Sequence, residues 1–350
     1  MNIAILLPSL ERKGPILVAN DLVFELQKKI EVKNLIVFYF NDCPEPMNFP
    51  CETRKIKFIE NIKFENFDIV HSHTLRTDLY LFLRKGIAKR SNCKIVTTIH
   101  QYNYESFLFD LKKPIIAKTL SFLWNIILIR HDKIFVLSND MKKYYSLTLY
   151  NKKIEVVYNG RPLPDKLVIK KITHIDNLKK TYKILGTACS LTTRKGLEQI
   201  IKALPSLKEF CFIVIGDGPE IQNLKNLAYN LNVKDRCFFE GFKKNYLDYY
   251  QYFDVFVLPS RSEGFGLALI EAASMKIPIV CSNIPSFNEI FESTDVVFFE
   301  LDNITSIQKG INKAYITKEK LCNRSYYRYL THYTSEVMAQ NYLSSYKNLF

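Results

Sequence analysis

Residues 255–288 read VFVLPSRSEGFGLALIEAASMKIPIVCSNIPSFN. The apolar run Val255 to Leu258 ends at Pro259 and a polar turn, Ser260-Arg261-Ser262-Glu263. Gly264-Phe265-Gly266 follows, then a segment of helical pattern from Leu267 to Met275, then a second apolar run, Ile277 to Cys281. Strand, glycine-containing turn, helix and strand in this order predict a parallel α/β sheet.

The unit carries two carboxylates, Glu263 in the turn and Glu271 inside the helix. The glycines allow a ligand to approach the backbone closely. The helix N-terminus offers unpaired N–H groups and a partial positive charge, which suit a phosphate. Glu271, just over one turn in, reaches sideways toward hydroxyls, and Glu263 can accept hydroxyl hydrogen bonds ahead of the helix. Such a site suits a molecule with phosphate and polyol parts. Spacing alone leaves open a solvated loop acid and a surface glutamate.

The run Glu263-Gly264-Phe265-Gly266-Leu267-Ala268-Leu269-Ile270-Glu271-Ala272 resembles the paired-glutamate signature of the retaining glycosyltransferases of family 4. The resemblance implies the GT-B fold: two Rossmann-like α/β domains with parallel sheets, facing across a cleft. It places an acceptor-side domain at residues 1–165, a nucleotide-sugar-binding domain at 166–325, and a terminal helix at 326–350 that packs back on the first domain. Ser190-Leu191-Thr192-Thr193-Arg194-Lys195-Gly196 matches the family's Arg/Lys-Lys-Gly turn after the first strand of the second domain. Two cations before a glycine and a helix suit a diphosphate. Gly216-Asp217-Gly218-Pro219 resembles a turn lining the nucleotide pocket, and Gly241-Phe242-Lys243 falls where the family holds the base.

The same resemblance assigns the reaction. A sugar passes from a nucleotide-sugar, expected to be UDP-linked, to a saccharide hydroxyl with retained anomeric configuration, in the assembly of a surface polysaccharide such as lipopolysaccharide, O-antigen or capsule. Arg194, Lys195, Glu263 and His100 are the expected catalytic group. Gly14, Gly216, Gly218, Lys243, Gly264, Phe265, Gly266, Leu267 and Glu271 are the expected donor-binding group. No Asp-x-Asp motif lies near these residues, so no metal and no other cofactor is expected. A nucleotide-sugar epimerase of the same architecture and a non-catalytic nucleotide-sugar-binding protein are the competing readings. The paired-glutamate helix speaks against the first, and the joint presence of Arg194, Lys195, Glu263 and Glu271 against the second.

In the first half, Asn2 to Leu7 predicts a buried strand and Ile16 to Lys29 a helix. Gly14, between them, matches a family glycine whose backbone faces the donor phosphates; Lys13 stands where the family often has a second glycine. Leu35 to Phe40 and Asp68 to His73 predict further strands, with His71 and His73 on one face. Lys94 to Ile99 predicts another, ending in His100, which resembles a family histidine that contacts the transferred sugar or acceptor. Pro114 to Ile129 predicts a core helix with one wet edge at Lys118, Ser121 and Asn125; a membrane-interface helix is the alternative. Residues 161–181 read as a linker.

The chain has 350 residues, 47% hydrophobic and 24% charged, a size that predicts two domains or one large one. Its net charge of +14 favours anionic partners. No nucleic-acid-binding signature accompanies that charge, so nucleic acid is not an expected partner. Arg76, Arg84, Lys85, Lys89 and Arg90 surround the apolar run Leu79 to Leu83 and suggest contact with an anionic membrane surface presenting a lipid-linked acceptor, with Lys112, Lys113 and Trp124 as further contributors. The eight cysteines form no C-x-x-C pair and read as reduced, buried thiols. The opening MNIAILLPSL reads as a strand without a signal peptide's basic leader, so a cytoplasmic protein, peripheral on the inner face of the membrane, is expected.

Overall fold

The computed structural model describes residues 1–149, 153–163 and 171–350. The chain divides into two compact units, residues 1–162 with 332–350, and residues 163–331. The expected boundary at 165/166 lies outside the described residues.

The first unit is built on a seven-stranded sheet: β1 (Asn2–Ser9), β2 (Asn34–Asn41), β3 (Glu52–Lys55), β4 (Ile69–His73), β5 (Lys94–Thr98), β6 (Lys133–Val136) and β7 (Ile154–Val156). Its order is β3-β2-β1-β4-β5-β6-β7, and its pairings are parallel. β3 has no apolar alternation to announce it. Its Glu52-Thr53-Arg54-Lys55 is exposed at the sheet edge, where charged side chains discourage further pairing. The alternation of β4 is clear: His71 points to the C-terminal helix Ser335–Lys347, whereas Ser72 on the opposite face bonds Asp78 of the helix Leu75–Arg90.

The second unit has six strands: β8 (Lys183–Ala188), β9 (Phe210–Ile215), β10 (Cys237–Gly241), β11 (Val255–Leu258), β12 (Ile279–Ser282) and β13 (Val297–Phe299). Their order is β10-β9-β8-β11-β12-β13, again with parallel pairings. Both units are therefore Rossmann-like: a parallel sheet wound outward in both directions from its first strand. The continuous apolar runs of β9, β11 and β12 are wholly buried, as strands covered on both faces must be.

Four expectations are corrected. First, the stretch read as linker contains a helix, Thr173–Lys179, seated by buried Ile175. Second, the single terminal helix is two helices, Lys318–His332 and Ser335–Lys347. Thr334 breaks them by capping the second, its hydroxyl accepting from the Val337 N–H at 3.2 Å. Third, the wet edge of helix Pro114–Ile129 is misplaced: polar Ser121 and Asn125 face inward with Ala117, Trp124 and Leu128, while six large apolar side chains face out. Asn103 explains this, because its side chain donates to the Asn125 side chain at 2.8 Å and the Ser121 carbonyl at 3.4 Å.

The fourth correction reduces the basic patch around Leu79–Leu83 to Arg76, Lys89 and Arg90, which are exposed. Arg84 is buried, donating to the Asn61 side chain at 2.8 Å and the Phe58 carbonyl at 2.6 Å. Lys85 pairs with Asp132, and Trp124 is buried with its indole N–H on Asp78 at 2.8 Å. Cys93, Cys211, Cys237 and Cys281 are buried as expected, but Cys43, Cys51, Cys189 and Cys322 are only partly so. Among the described residues, no helix is long and apolar enough to cross a membrane.

Candidate active site

In an open parallel sheet the chain leaves a crevice where the winding direction reverses, beyond the carboxyl ends of the two strands concerned. In the second unit those strands are β8 and β11. The loop after β8 carries Arg194 and Lys195, and the loop after β11 carries Glu263 to Gly266, so the topology joins two motifs nearly seventy residues apart.

The joint is specific. Gly196 has φ 63, a left-handed conformation that favours glycine, and a Cβ there would lie 2.3 Å from the Pro259 carbonyl oxygen. Gln199 clamps the same place, its side-chain N–H donating to the carbonyls of Pro259 at 3.0 Å and Gly196 at 3.2 Å. The Arg261 N–H donates to the Arg194 carbonyl at 2.8 Å. With the loops fixed, the Arg194 guanidinium donates to the Ser262 carbonyl at 2.7 Å and to Glu263 Oε2 at 3.1 Å. Lys195 pairs with Glu263 Oε1, which also accepts from the Ser260 hydroxyl at 2.8 Å.

Glu263 is buried, and burial alone would raise its carboxyl pKa. Lys195 and then Arg194 more than offset that effect and bring it down to about 2. It is therefore a carboxylate across the physiological range. Two cations and one carboxylate leave a single positive charge at the crevice. Glu263 faces the cations first, and a carboxylate's lone pairs leave it room for one further donor.

Glu271 is held differently. It is buried on the helix Leu267–Ser274, and its Oε1 accepts from the Tyr246 hydroxyl at 2.7 Å. Tyr250 approaches its other oxygen at 3.4 Å. Gly266, at φ 107, opens this helix, so its first turn begins with no side-chain cap on its N–H groups. Gly264 and Phe265 are buried in the loop and Leu267 is half-buried.

Gly216 and Gly218 lie in the turn after β9. A Cβ on Gly216 would meet the Cys189 carbonyl oxygen at 1.9 Å, and one on Gly218 the Leu191 carbonyl oxygen at 2.4 Å. These glycines let the turn pack onto the loop that carries Arg194. Lys243, after β10, is partly exposed, 4.0 Å from Glu240.

The remaining two candidates belong to the first unit. Gly14 is not in a loop; it begins the helix Gly14–Gln27, so its backbone lies at a helix N-terminus after β1. His100 follows β5 and is joined at 2.9 Å to His73, which stacks on His71 at a ring separation of 4.4 Å. His71 continues to the Tyr346 hydroxyl at 2.6 Å and to Thr98 at 2.8 Å, and Thr98 reaches the Tyr342 hydroxyl at 2.8 Å. Burial keeps these imidazoles neutral: it lowers His100 to about 3 and takes His71 and His73 well below their ordinary value. Among the described residues, no group of three or more His, Cys, Asp or Glu is placed to hold a metal ion.

Ser260, Gln199 and Tyr246 were not among the expected site residues. Ser260 and Gln199 carry no motif signal. Tyr246 and Tyr250 repeat at i, i+4, the one pattern that could have pointed both hydroxyls at a common partner.

Comparison with known proteins bears on the fold and the family. Residues 168–329 match the model of the glycosyl transferases group 1, and residues 20–163 match that of Glycosyltransferase Family 4. The O-antigen biosynthesis glycosyltransferase WclY of Escherichia coli is 32% identical over 363 residues, covering 100% of this chain and 99% of its own. The UDP-Gal:alpha-D-GlcNAc-diphosphoundecaprenol alpha-1,3-galactosyltransferase of Escherichia coli is 26% identical, covering 81% of this chain and 78% of its own. Anabaena Alr3699/HepE, crystallised with UDP-glucose, shares the fold with a TM-score of 0.78 at 14% identity, covering 99% of this chain and 100% of its own. The chain thus belongs to the glycosyl transferases group 1, with an N-terminal part of the Glycosyltransferase Family 4 type.

Proposed function

We propose that this protein transfers a hexose from a UDP-linked donor to a saccharide hydroxyl, with retained anomeric configuration and without a metal, during assembly of a surface polysaccharide. The observation that carries the reading is the Arg194–Lys195–Glu263 cluster at the crevice of the second sheet. The names of the two Escherichia coli relatives support the polysaccharide setting and the UDP-linked donor. The donor occupies the second unit and the acceptor the first. The acceptor is a lipid-linked saccharide at the inner face of the cytoplasmic membrane.

Breaking the bond between the anomeric carbon and the diphosphate leaves its electron pair on the phosphate oxygen. Arg194, Lys195 and the N–H groups opening the helix Leu267–Ser274 stabilise that charge before it forms, which is where preorganised donors are most effective. The acceptor oxygen bonds the same carbon, and its proton passes to the departing diphosphate on the same face. Glu263 holds the two cations in register and uses its remaining lone pair on the sugar. Glu271, oriented by Tyr246, takes the ribose hydroxyls. Gly216, Gly218 and Lys243 border the nucleotide. His100 offers a neutral ring to the sugar or acceptor, and Gly14 its helix N-terminus to the donor phosphates.

Incubation with UDP-, GDP- and dTDP-sugars and a panel of saccharide acceptors tests the reading. Release of UDP together with a glycosylated α-linked product supports it. An epimerised nucleotide-sugar without transfer, or binding with no turnover on any acceptor, would replace it with one of the competing readings.

A further inference from the structure

A helix on the surface of a globular protein ordinarily turns an apolar stripe inward and a polar one outward. Helix Pro114–Ile129 departs from this. Its inner face mixes Ala117 and Leu128 with Ser121, Trp124 and Asn125, the last three tied by hydrogen bonds to Asn103 or Asp78. Its outer face presents Ile115, Ile116, Phe122, Leu123, Ile126 and Ile129, all exposed, Ile115 at 83% and Phe122 at 64%. Six large apolar side chains on one helix make a contiguous patch of the kind that marks a contact surface. The polar network fixes the helix's rotation, so the patch cannot be hidden by turning it.

The border of the patch is cationic. Lys112 and Lys113 precede the helix, Lys118 lies on its outer side, and Arg130 follows it, all exposed. Arg130 reaches across to the helix Leu75–Arg90, donating to the Phe82 carbonyl at 3.3 Å beside exposed Leu83. Asp110 is exposed at the near end and opposes four cations. An apolar centre with a basic rim is complementary to an anionic bilayer, whose acyl region takes the centre and whose headgroups take the rim. A second copy of this chain would instead bring two basic rims together.

We propose that the outer face of helix Pro114–Ile129 is a docking surface for an anionic lipid bilayer, on which the helix lies in the interface without crossing. Its sixteen residues span about 24 Å, less than the roughly 30 Å hydrocarbon core. This names the membrane-contacting surface of the glycosyltransfer reading above, and it rests on that reading only for which membrane is met. Of the basic residues around Leu79–Leu83, which sequence suggested for this role, Arg84 and Lys85 are taken up inside the unit while Arg76, Lys89 and Arg90 stay exposed; the apolar centre of the contact lies on the neighbouring helix.

Sedimentation of the full-length protein with phosphatidylcholine vesicles, with and without phosphatidylglycerol, is the test. The wild type should bind the phosphatidylglycerol vesicles and bind pure phosphatidylcholine far more weakly. Phe122→Glu with Ile126→Glu should lower binding at least 100-fold. Reversal of Lys112, Lys113 and Lys118 to glutamate should lower it at least tenfold at low salt, since each cation near such a surface is worth about fivefold. Wild-type protein that ignores anionic vesicles, or glutamate variants that bind unchanged, would overturn the proposal. So would a dimer in gel filtration that the Phe122 and Ile126 changes dissociate, since the patch would then serve a second copy.

Should the glutamate variants fail to fold, Phe122→Trp keeps the patch apolar. Its fluorescence should be quenched by vesicles brominated in their acyl chains, and an unquenched signal from vesicle-bound protein would overturn the proposal. Transfer to a soluble, lipid-free acceptor should be unaffected by the glutamate changes. A protein that binds vesicles but transfers no sugar therefore separates failure of the catalytic reading from failure of this one.

Discussion

The carboxyl ends of the two sheets share a topology and differ in charge. In the second unit the crevice holds Arg194, Lys195 and Glu263, locked together as ion pairs. In the first, partly exposed His100 is stacked on buried His73 and His71, all neutral, backed by Tyr342, Tyr346 and Thr98. The fold supplies two crevices, and the side chains decide what each can bind. A net cationic crevice suits a diphosphate; a neutral, hydrogen-bonding one suits an uncharged hydroxyl compound. This division is consistent with the proposed placing of donor on the second unit and acceptor on the first.

The largest expected effect lies on the charged side. Lys195→Ala or Arg194→Ala should lower turnover by about 10²–10³, the usual loss for one preorganised charge stabiliser. Near-normal turnover in either variant would show that the diphosphate does not use this crevice, and the contrast between the units would lose its meaning.

Acid should separate the units next. For Glu263 the folded pKa, about 2, is below the ordinary 4.5, so its stabilisation is fully present above pH 4.5 and is lost as pH falls toward 2. At pH 7 it amounts to about 3 kcal/mol. The histidines are also depressed, but from 6.5, so their contribution fades as pH falls below 6.5. The first unit should therefore weaken at milder acidity than the second. Trp124, the sole tryptophan, sits buried in the first unit and reports on it alone. Its fluorescence should change in urea titrations at pH 5.5 before most of the circular dichroism is lost. Coincident transitions at pH 5.5 and pH 7 would refute the ordering.

Smaller effects distinguish the two buried acids. Glu271→Ala should raise the donor KM about tenfold with a modest change in kcat, and Tyr246→Phe should raise it severalfold, since one hydrogen bond to a charged group is worth about 1.5–3 kcal/mol before compensation. Glu263→Ala should fall mainly on kcat, because it releases the cations from register. Identical kinetic defects from the two alanine variants would remove the division of labour. The smallest expected effect is that of chelation: turnover in EDTA should stay within about twofold of the untreated rate, because the cations stand where a metal would otherwise offset the leaving charge. Loss in EDTA with rescue by magnesium or manganese would show that they do not suffice.

Much of this was legible in the chain. The buried strands β1, β9, β11 and β12 announce themselves as mainly apolar runs, and Gly196 and Gly266 mark turns that other residues enter only with strain. The paired glutamates and the Arg-Lys-Gly turn carry family information because a bound diphosphate needs charge and close backbone at fixed spacing. The edge strand β3 and the helix Thr173–Lys179 were not legible, since each is short and mostly polar and takes its conformation from neighbours.

Sequence by itself determined the α/β class, the two-unit organisation and the identity of the charged motifs, because those depend on local periodicity and on residue chemistry. Tertiary structure alone decided that Arg194 and Lys195 meet Glu263, that Tyr246 orients Glu271, and that three histidines stack in a row whose inner member, His71, meets two tyrosines more than two hundred residues away. It also decided which face of helix Pro114–Ile129 is inside. A helical pattern gives the angular spacing of polar and apolar residues but not the partner each face meets. Here Asn103 and Asp78 supply polar partners within, and the apolar stripe is left on the surface.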